Sequence, residues 1–71
     1  MPTREELFGK GLGAYGKGNL DEAIAAIKKA IELDPQEALY HTELSRLYVQ
    51  LKMVPEAEAA TAEAMRLQRS R

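Results

Sequence analysis

The segment from Gly11 to Gly16 carries the most specific chemical motif of the chain. Its sequence, GLGAYG, fits the pattern G-x-G-x-x-G, in which backbone amides at a helix N-terminus hold the phosphates of a nucleotide. That use requires a strand before the first glycine and a second strand after the helix. No segment before Gly11 has the pattern of a strand, and no second strand follows. The sequence therefore favours glycines inside a helix over a nucleotide-binding loop.

Residues able to act as nucleophiles or metal ligands are few. The chain has no cysteine and a single histidine, His41, which excludes thiolate catalysis and cysteine-based zinc sites. One histidine without clustered carboxylates does not make a metal site. Ser45 and Thr61 have no histidine or lysine at a spacing that would activate them. We expect no catalytic residue, no metal site and no cofactor, and we predict that the chain is not an enzyme.

Two pairs of carboxylates, Glu5 with Glu6 and Glu56 with Glu58, have the proximity that acid and base catalysis uses. Each pair falls in the first turn of a predicted helix, where a negative charge meets the positive end of the helix dipole. This electrostatic role is the simpler interpretation. At the other end of the last helix the dipole is complemented by Arg66, Arg69 and Arg71.

The composition is that of an ordinary globular protein, with 45% hydrophobic and 30% charged residues. Ten lysines and arginines against eleven acids leave a net charge of -1, so no positive field attracts nucleic acid. Seventy-one residues form one domain at most, with a small margin of stability. No apolar run approaches the roughly 18 residues that cross a membrane, and no secretory leader opens the chain. We expect a cytoplasmic protein without nucleic-acid or membrane partners.

An internal repeat of about 34 residues organises the chain. Shifting the sequence by one repeat length places identical residues on one another: Glu22 on Glu56, Ala23 on Ala57, Ala25 on Ala59, Ala26 on Ala60, Ala30 on Ala64 and Leu33 on Leu67. The richness in alanine inflates this agreement, but the glutamate and leucine pairs are matches of other types. The repeat indicates two copies of one structural unit.

A turn is predicted at Gly18 and Asn19. Glycine readily takes the left-handed conformation that ends a helix, and Asn19 with Glu22 has the spacing of a capping box. Apolar residues then recur with a period near 3.6, which predicts an amphipathic helix over residues of about 20–33. We therefore expect one helix before this turn and a second after it.

A third helix is predicted to start directly after the second. A cap, a first-turn proline and a capping-box acid are supplied by Asp34, Pro35 and Glu37. The apolar stripe of this helix consists of Tyr40, Leu44, Leu47, Tyr48 and Leu51. Pro55 with Glu56 marks the start of a fourth helix, which ends near Leu67. The predicted fold class is all-α, with four antiparallel helices.

With these elements in place, the chain resembles the tetratricopeptide repeat family, whose helix-turn-helix unit of about 34 residues has a Trp, Leu-Gly, Tyr, Ala, Phe, Ala, Pro pattern. At these positions the first unit has Leu7, Lys10 with Gly11, Ala14, Ala23, Ile27, Ala30 and Pro35. The second unit has His41, Leu44 with Ser45, Tyr48, Ala57, Thr61, Ala64 and Arg69. Because His41 stands at the tryptophan position, the resemblance implies a packing role for it. The resemblance covers residues from about 4 to 69. It implies a short α-solenoid, a single domain over residues 1–71 made of units at about 4–37 and 38–71.

Two lysines depart from the pattern of the family. Lys10 stands where the family has a buried apolar residue, so we expect its position to be open to water. Lys52 stands one repeat length after Gly18, so the second turn is predicted to be strained or to have a different geometry. Four glycines in the first helix, Gly9, Gly11, Gly13 and Gly16, each cost about 0.8–1 kcal/mol relative to alanine. We expect this helix to fray.

One helix face becomes more polar between the two units. Three isoleucines of the first unit are replaced in the second: Ile24 by Glu58, Ile27 by Thr61 and Ile31 by Met65. Terminal repeats of an array need a polar outer face. The sequence therefore leads us to expect that the natural array ends at this unit.

The resemblance also implies a binding surface, because the first helix of each unit lines a concave groove in this family. The corresponding residues, which we call the candidate groove, are Glu5, Phe8, Leu12, Tyr15, Gly16, Leu39, Thr42, Arg46, Val49 and Gln50. Some family members hold the C-terminal carboxylate of chaperone tails with Lys and Asn at positions taken here by Phe8 and Leu12. We therefore expect no carboxylate clamp, and an apolar peptide or amphipathic helix as ligand.

The function expected from these features is that of a protein-protein interaction module, an adaptor or scaffold with a protein or peptide partner. The alternative is a structural homo-oligomer, such as a homodimer, whose groove is filled by its own copy. Two repeats fall short of the three or so usually needed for stability, which supports assembly or folding on a partner. A designed scaffold is a third interpretation, and Lys10, Lys52 and the helix glycines argue against an idealised design.

Overall fold

Four α-helices make up the computed structural model, which describes residues 1–70. They are α1 (Arg4–Gly16), α2 (Leu20–Leu33), α3 (Ala38–Gln50) and α4 (Val54–Arg69). The described residues contain no strand, so the predicted all-α class is confirmed. Extensive packing joins α1 to α2, α2 to α3 and α3 to α4. We call α1 with α2 the first helix pair, and α3 with α4 the second. Arg71, expected to complement the dipole of the last helix, lies outside the described residues.

The helix starts differ from the predicted caps in two places. Asn19 precedes α2 but its side chain makes no capping hydrogen bond, so the predicted capping box with Glu22 is wrong. Asp34 closes α2 and does not open α3, because the following proline forces an extended backbone at this residue (φ -147°, ψ 85°). Glu37 is the N-cap of α3, and its carboxylate accepts from the backbone amide of Leu39 at 3.4 Å.

A capping box does open α1, where the sequence analysis named none. The hydroxyl of Thr3 accepts from the amide of Glu6 at 3.1 Å, and the Glu6 carboxylate accepts from the amide of Thr3 at 3.0 Å. The spacing T-x-x-E at residues 3–6 was the available signal. Arg4, in the first turn, also forms an ion pair with Asp34, which joins the start of α1 to the end of α2.

Both helix pairs are closed by the same turn. The amide of Asn19 donates to the carbonyl of Ala14, and Gly18 to Tyr15, both at 2.9 Å. One repeat length later, Met53 donates to Tyr48 at 2.9 Å and Lys52 to Val49 at 3.0 Å. Each pair of hydrogen bonds is a Schellman motif, whose penultimate residue has positive φ. Gly18 has φ 81° and Lys52 φ 61°, so the second turn is strained, as predicted, but its geometry is the same.

The core lies between α2 and α3 and within each helix pair. Small residues let the helices approach: Ala23, Ala30, Ala57, Ala60 and Ala64 are all buried. Ile27, with 1% of its surface exposed, is the largest fully buried side chain. It joins one cluster with the buried α3 side chains Tyr40, Leu44, Leu47 and Tyr48. Burying such a side chain stabilises the fold by about 1.5–3 kcal/mol.

Candidate protein-binding surface

The ten residues of the candidate groove all fall inside helices. Glu5, Phe8, Leu12, Tyr15 and Gly16 lie on α1, and Leu39, Thr42, Arg46, Val49 and Gln50 lie on α3. Among the apolar members Leu12, Leu39 and Val49 are 41%, 50% and 60% exposed. Phe8 and Tyr15 are half-buried and pack against the core cluster. The surface therefore combines exposed aliphatic side chains with two aromatic rings that pack against the core cluster.

Phe8 connects this surface to the core. Its ring lies 4.9 Å from the ring of Tyr40, centroid to centroid, at an angle of 37°, within the range of favourable aromatic contacts. Tyr40 itself is buried, and burial raises the pKa of its hydroxyl above the ordinary value. Because Phe8 is on α1 and Tyr40 on α3, the contact joins the two helices that carry the candidate groove.

A hydrogen bond joins the same two helices at their other ends. The side-chain amide of Gln50 donates to the hydroxyl of Tyr15. Successive contacts at Phe8 and Tyr15 therefore hold α1 and α3 side by side. Leu12 lies between these two positions on the helix, at spacings of four and three residues that share one face.

The polar members of the candidate groove are engaged locally. The Thr42 hydroxyl donates to the carbonyl of Ala38 at 3.1 Å, and Arg46 pairs with Glu43 at 3.2 Å. The pKa of Glu5 lies below its ordinary value, first because its carboxylate accepts from its own backbone amide and then because Arg4 donates to it. These groups are exposed or half-buried, so a partner can reach them.

Val49 also belongs to a different depression. A hollow of about 410 Å³ on the outer side of the second helix pair, which we call the α3/α4 hollow, is lined by Ser45, Val49, Val54, Ala57, Glu58, Thr61, Ala62 and Met65. Val54 and Met65 are 57% and 53% exposed. The sequence analysis placed Met65 on the polar outer face of the second unit and did not include Val54 in any surface. The signal was the shift by one repeat length, which aligns Val54 with Leu20 and Met65 with Ile31.

A second hollow, of about 460 Å³, lies between α1 and α2. Its residues are Met1, Pro2, Leu7, Lys10, Glu22, Ala25, Ala26, Lys29, Glu32 and Leu33. Lys10 is exposed, as expected, whereas Leu44 at the same position of the second helix pair is buried.

Within residues 1–70, no group of three or more histidines and acids is placed to hold a metal ion. His41 is half-buried and its Nε2 donates to the carbonyl of Pro35 at 3.1 Å, which fixes the turn before α3 and agrees with a packing role. None of the described helices is long and apolar enough to cross a membrane. The arrangement offers contact surface and local hydrogen-bonding groups.

Comparison with known proteins agrees with this geometry. The sequence profile of the family described as "Tetratricopeptide repeat" matches residues 4–37, which contain the first helix pair and the turn that follows it. The second helix pair repeats the same turn and the same buried alanines one repeat length later. The first helix pair is therefore a tetratricopeptide repeat.

Two fruit fly proteins are similar to part of this chain. The chain is 45% identical over 47 residues to "Hsc70-interacting protein 1" of Drosophila melanogaster, and equally to "Hsc70-interacting protein 2". The matched segment is 66% of this chain and 12% of each relative. The tetratricopeptide repeat is a protein-protein interaction repeat, so the general class of this chain is that of a protein-protein interaction module.

Proposed function

We propose that this tetratricopeptide repeat module binds a protein partner across α1 and α3, through the candidate groove. The observation that carries the proposal is the exposure of Leu12 (41%) and Leu39 (50%) beside the half-buried rings of Phe8 and Tyr15. Covering such apolar surface with a partner is favourable because it removes that surface from water. The module would act as an adaptor or scaffold, made of one domain with units at about 4–37 and 38–71.

The chemistry of the surface favours an apolar peptide or an amphipathic helix. Such a helix places its apolar side chains at positions i, i+3 or i+4 and i+7, which suits a groove lined by aliphatic and aromatic groups. The groups at the edge that can hydrogen-bond to a peptide are Thr42, Arg46 and Gln50. Phe8 and Leu12 offer no charge to a C-terminal carboxylate, so the proposed recognition does not depend on one.

The names of the two matched relatives supply a first partner to test. Both relatives are named for an interaction with Hsc70. We take that chaperone as the first candidate ligand for the groove, with a cytoplasmic location and no catalytic activity as parts of the same proposal.

The test is a calorimetric titration of the chain with purified Hsc70. Leu12→Lys and Leu39→Lys each place a charge in the groove, and each is expected to weaken binding by about tenfold, or about 1.4 kcal/mol. Leu33→Lys is the matched control, because Leu33 is 54% exposed and lies outside the groove. Equal losses in all three variants, or no loss in the groove variants, would overturn the assignment of the surface.

The alternative function is a homo-oligomer whose groove is covered by its own copy. The same exposed leucines favour it, because apolar surface can be covered by any matching partner. Measuring the mass in solution of the wild type and of Leu12→Lys separates the two functions. A dimer that Leu12→Lys converts to a monomer would favour the alternative.

A further inference from the structure

The α3/α4 hollow has a counterpart inside the molecule. Counting back by one repeat length, Val49, Val54, Thr61 and Met65 correspond to Tyr15, Leu20, Ile27 and Ile31. Those four counterparts belong to the core cluster or pack against it, and the same cluster contains the α3 side chains Tyr40, Leu44, Leu47 and Tyr48. The fold therefore shows which kind of element suits this face, namely the first helix of another helix pair.

The register of that internal contact follows from the short connection between α2 and α3. Residues 34–37 join the two helices, so they run antiparallel and residues equally far from the connection lie at the same level. Ile24 precedes the end of α2 at Leu33 by as many residues as Leu47 follows the start of α3 at Ala38. Ile24 is therefore level with Leu47, with Leu44 and Leu51 about one turn to either side.

On the exposed faces of α4 and α1, residues of opposite charge stand at the positions of these apolar residues. Ile24 corresponds to Glu58 in α4, while Leu44 and Leu51 correspond to Lys10 and Lys17 at α1. If α4 met another α1 in the internal register, Glu58 would lie between two lysines. Among residues 1–70 neither Glu58 nor these lysines forms an ion pair.

The remaining positions of such a contact are compatible. Leu47, level with Ile24, corresponds to Gly13, which has open space around it, so the two lysines can reach past it towards Glu58. Tyr40 corresponds to Glu6, whose carboxylate is held by the amide of Thr3 in the capping box. Around the acid, the apolar contact is provided by Val54 and Met65, both more than half exposed.

We propose that a second copy of this chain occupies the α3/α4 hollow, with its α1 lying on α4 as α3 lies on α2. The interface joins different surfaces of the two copies, so it leaves one hollow and one α1 free and permits further copies to add. It covers Val49, which the hollow shares with the candidate groove, and leaves Leu12 and Leu39 of that groove uncovered. The test below therefore separates this contact from the function proposed for the groove by means of Leu12→Lys.

Sedimentation velocity on the chain, from about 10 µM to about 1 mM, tests the proposal. The average mass should rise from 7.9 kDa towards its multiples with concentration, and less at high salt, because the ion pairs are exposed. Glu58→Lys, and separately Lys10→Glu with Lys17→Glu, should each weaken association by about tenfold by placing like charges opposite each other. An equimolar mixture of the two variants should recover association, because each then meets the opposite charge.

Asp21→Lys is the matched control, since it reverses one exposed acid away from the α3/α4 hollow. Circular dichroism of every variant verifies the helical fold. Weaker association of each charge variant, together with recovered association when the two variants are mixed, supports the proposal. A monomer at every concentration overturns it, and so does association that the charge variants leave unchanged or that only Leu12→Lys abolishes.

Discussion

Gly11 and Ser45 lie one repeat length apart, at equivalent positions of the two helix pairs. Each lies where the two helices of its own pair cross. A Cβ on Gly11 would meet Ile27 Cγ1 at 2.7 Å and the carbonyl of Ala23 at 3.2 Å. Ser45 meets the equivalent residues of the second pair, donating to the carbonyl of Ala57 at 3.1 Å and contacting the Thr61 hydroxyl. At this position the helices of the first pair are therefore in van der Waals contact, whereas those of the second pair are joined by hydrogen bonds. The contrast leads directly to two predictions.

Gly11→Ala should destabilise the chain. The added methyl overlaps a side chain that is 1% exposed and a helix backbone, and overpacking of this kind costs about 1–3 kcal/mol. The gain in helix propensity, about 0.8–1 kcal/mol, offsets part of that cost. We expect a net loss of about 1 kcal/mol, seen as a fall in melting temperature of about 4–8 °C.

Gly9→Ala is the control for this experiment, because a Cβ there meets nothing within 4 Å. The same change in the same helix should then stabilise the chain by about 0.8–1 kcal/mol. If both alanine variants moved the melting temperature in the same direction, close packing at Gly11 would not explain the effect.

Ser45 and Thr61 should be energetically coupled. Because the single Ser45 proton goes to the carbonyl of Ala57, the Thr61 hydroxyl donates to Ser45. Ser45→Ala, Thr61→Val and the double variant, unfolded in urea, form a double-mutant cycle. We expect a coupling free energy of about 0.5–1.5 kcal/mol, and strictly additive effects would contradict the hydrogen bond.

Lys52→Gly should stabilise the second turn. Lys52 holds φ 61° in a Schellman motif, and the left-handed conformation costs a residue with a Cβ about 1–2 kcal/mol. We expect a gain of about 1 kcal/mol in the free energy of unfolding. Gly18→Ala, at φ 81° in the equivalent turn, should lose a similar amount. A lysine side-chain contact that outweighs the strain would show as destabilisation by Lys52→Gly.

Tyr40 should make stability fall at high pH. Burial raises the pKa of its hydroxyl above 10.0 in the folded state, so the unfolded chain releases this proton first. The contribution of Tyr40 is therefore complete below the unfolded pKa and is lost as the pH rises through the folded one. Urea unfolding between about pH 9 and pH 11 should show this loss.

Tyr40→Phe retains the ring against Phe8 and removes the ionising group. Its stability should decline less over the same pH range than that of the wild type. Absorbance titration of the two proteins should assign to Tyr40 a phenol that ionises above its ordinary value. Identical pH profiles for the wild type and Tyr40→Phe would contradict the role of burial.

The sequence predicted the helices well because periodicity and breakers act locally. The range of about 20–33 agrees with α2, and the turn at Gly18 followed from its residue type alone. The helix caps were less predictable, because several neighbouring residues have side chains that can act as the N-cap. Asp34 had the chemistry of an N-cap, but the backbone before Pro35 and the ion pair with Arg4 assign it to the end of α2.

The surface was harder to predict than the fold. The ten residues that alignment to the family assigned to the groove lie on α1 and α3. The alignment did not indicate that Phe8 contacts Tyr40 or that Gln50 donates a hydrogen bond to Tyr15. Such contacts depend on the spacing between helices, which no local pattern specifies. Their role in binding remains a prediction. The α3/α4 hollow was missed because the polar residues Glu58 and Thr61 interrupted the apolar pattern.

The extensive helix contacts follow the order of the chain, α1 with α2, α2 with α3 and α3 with α4. Each contact closes only a short loop, so little chain entropy is lost before packing begins. Domains with such local contacts fold in microseconds to milliseconds. Folding can start at any adjacent helix pair and spread outward. During synthesis the first pair can therefore form as soon as its residues emerge, and it then offers α3 a surface on which to dock.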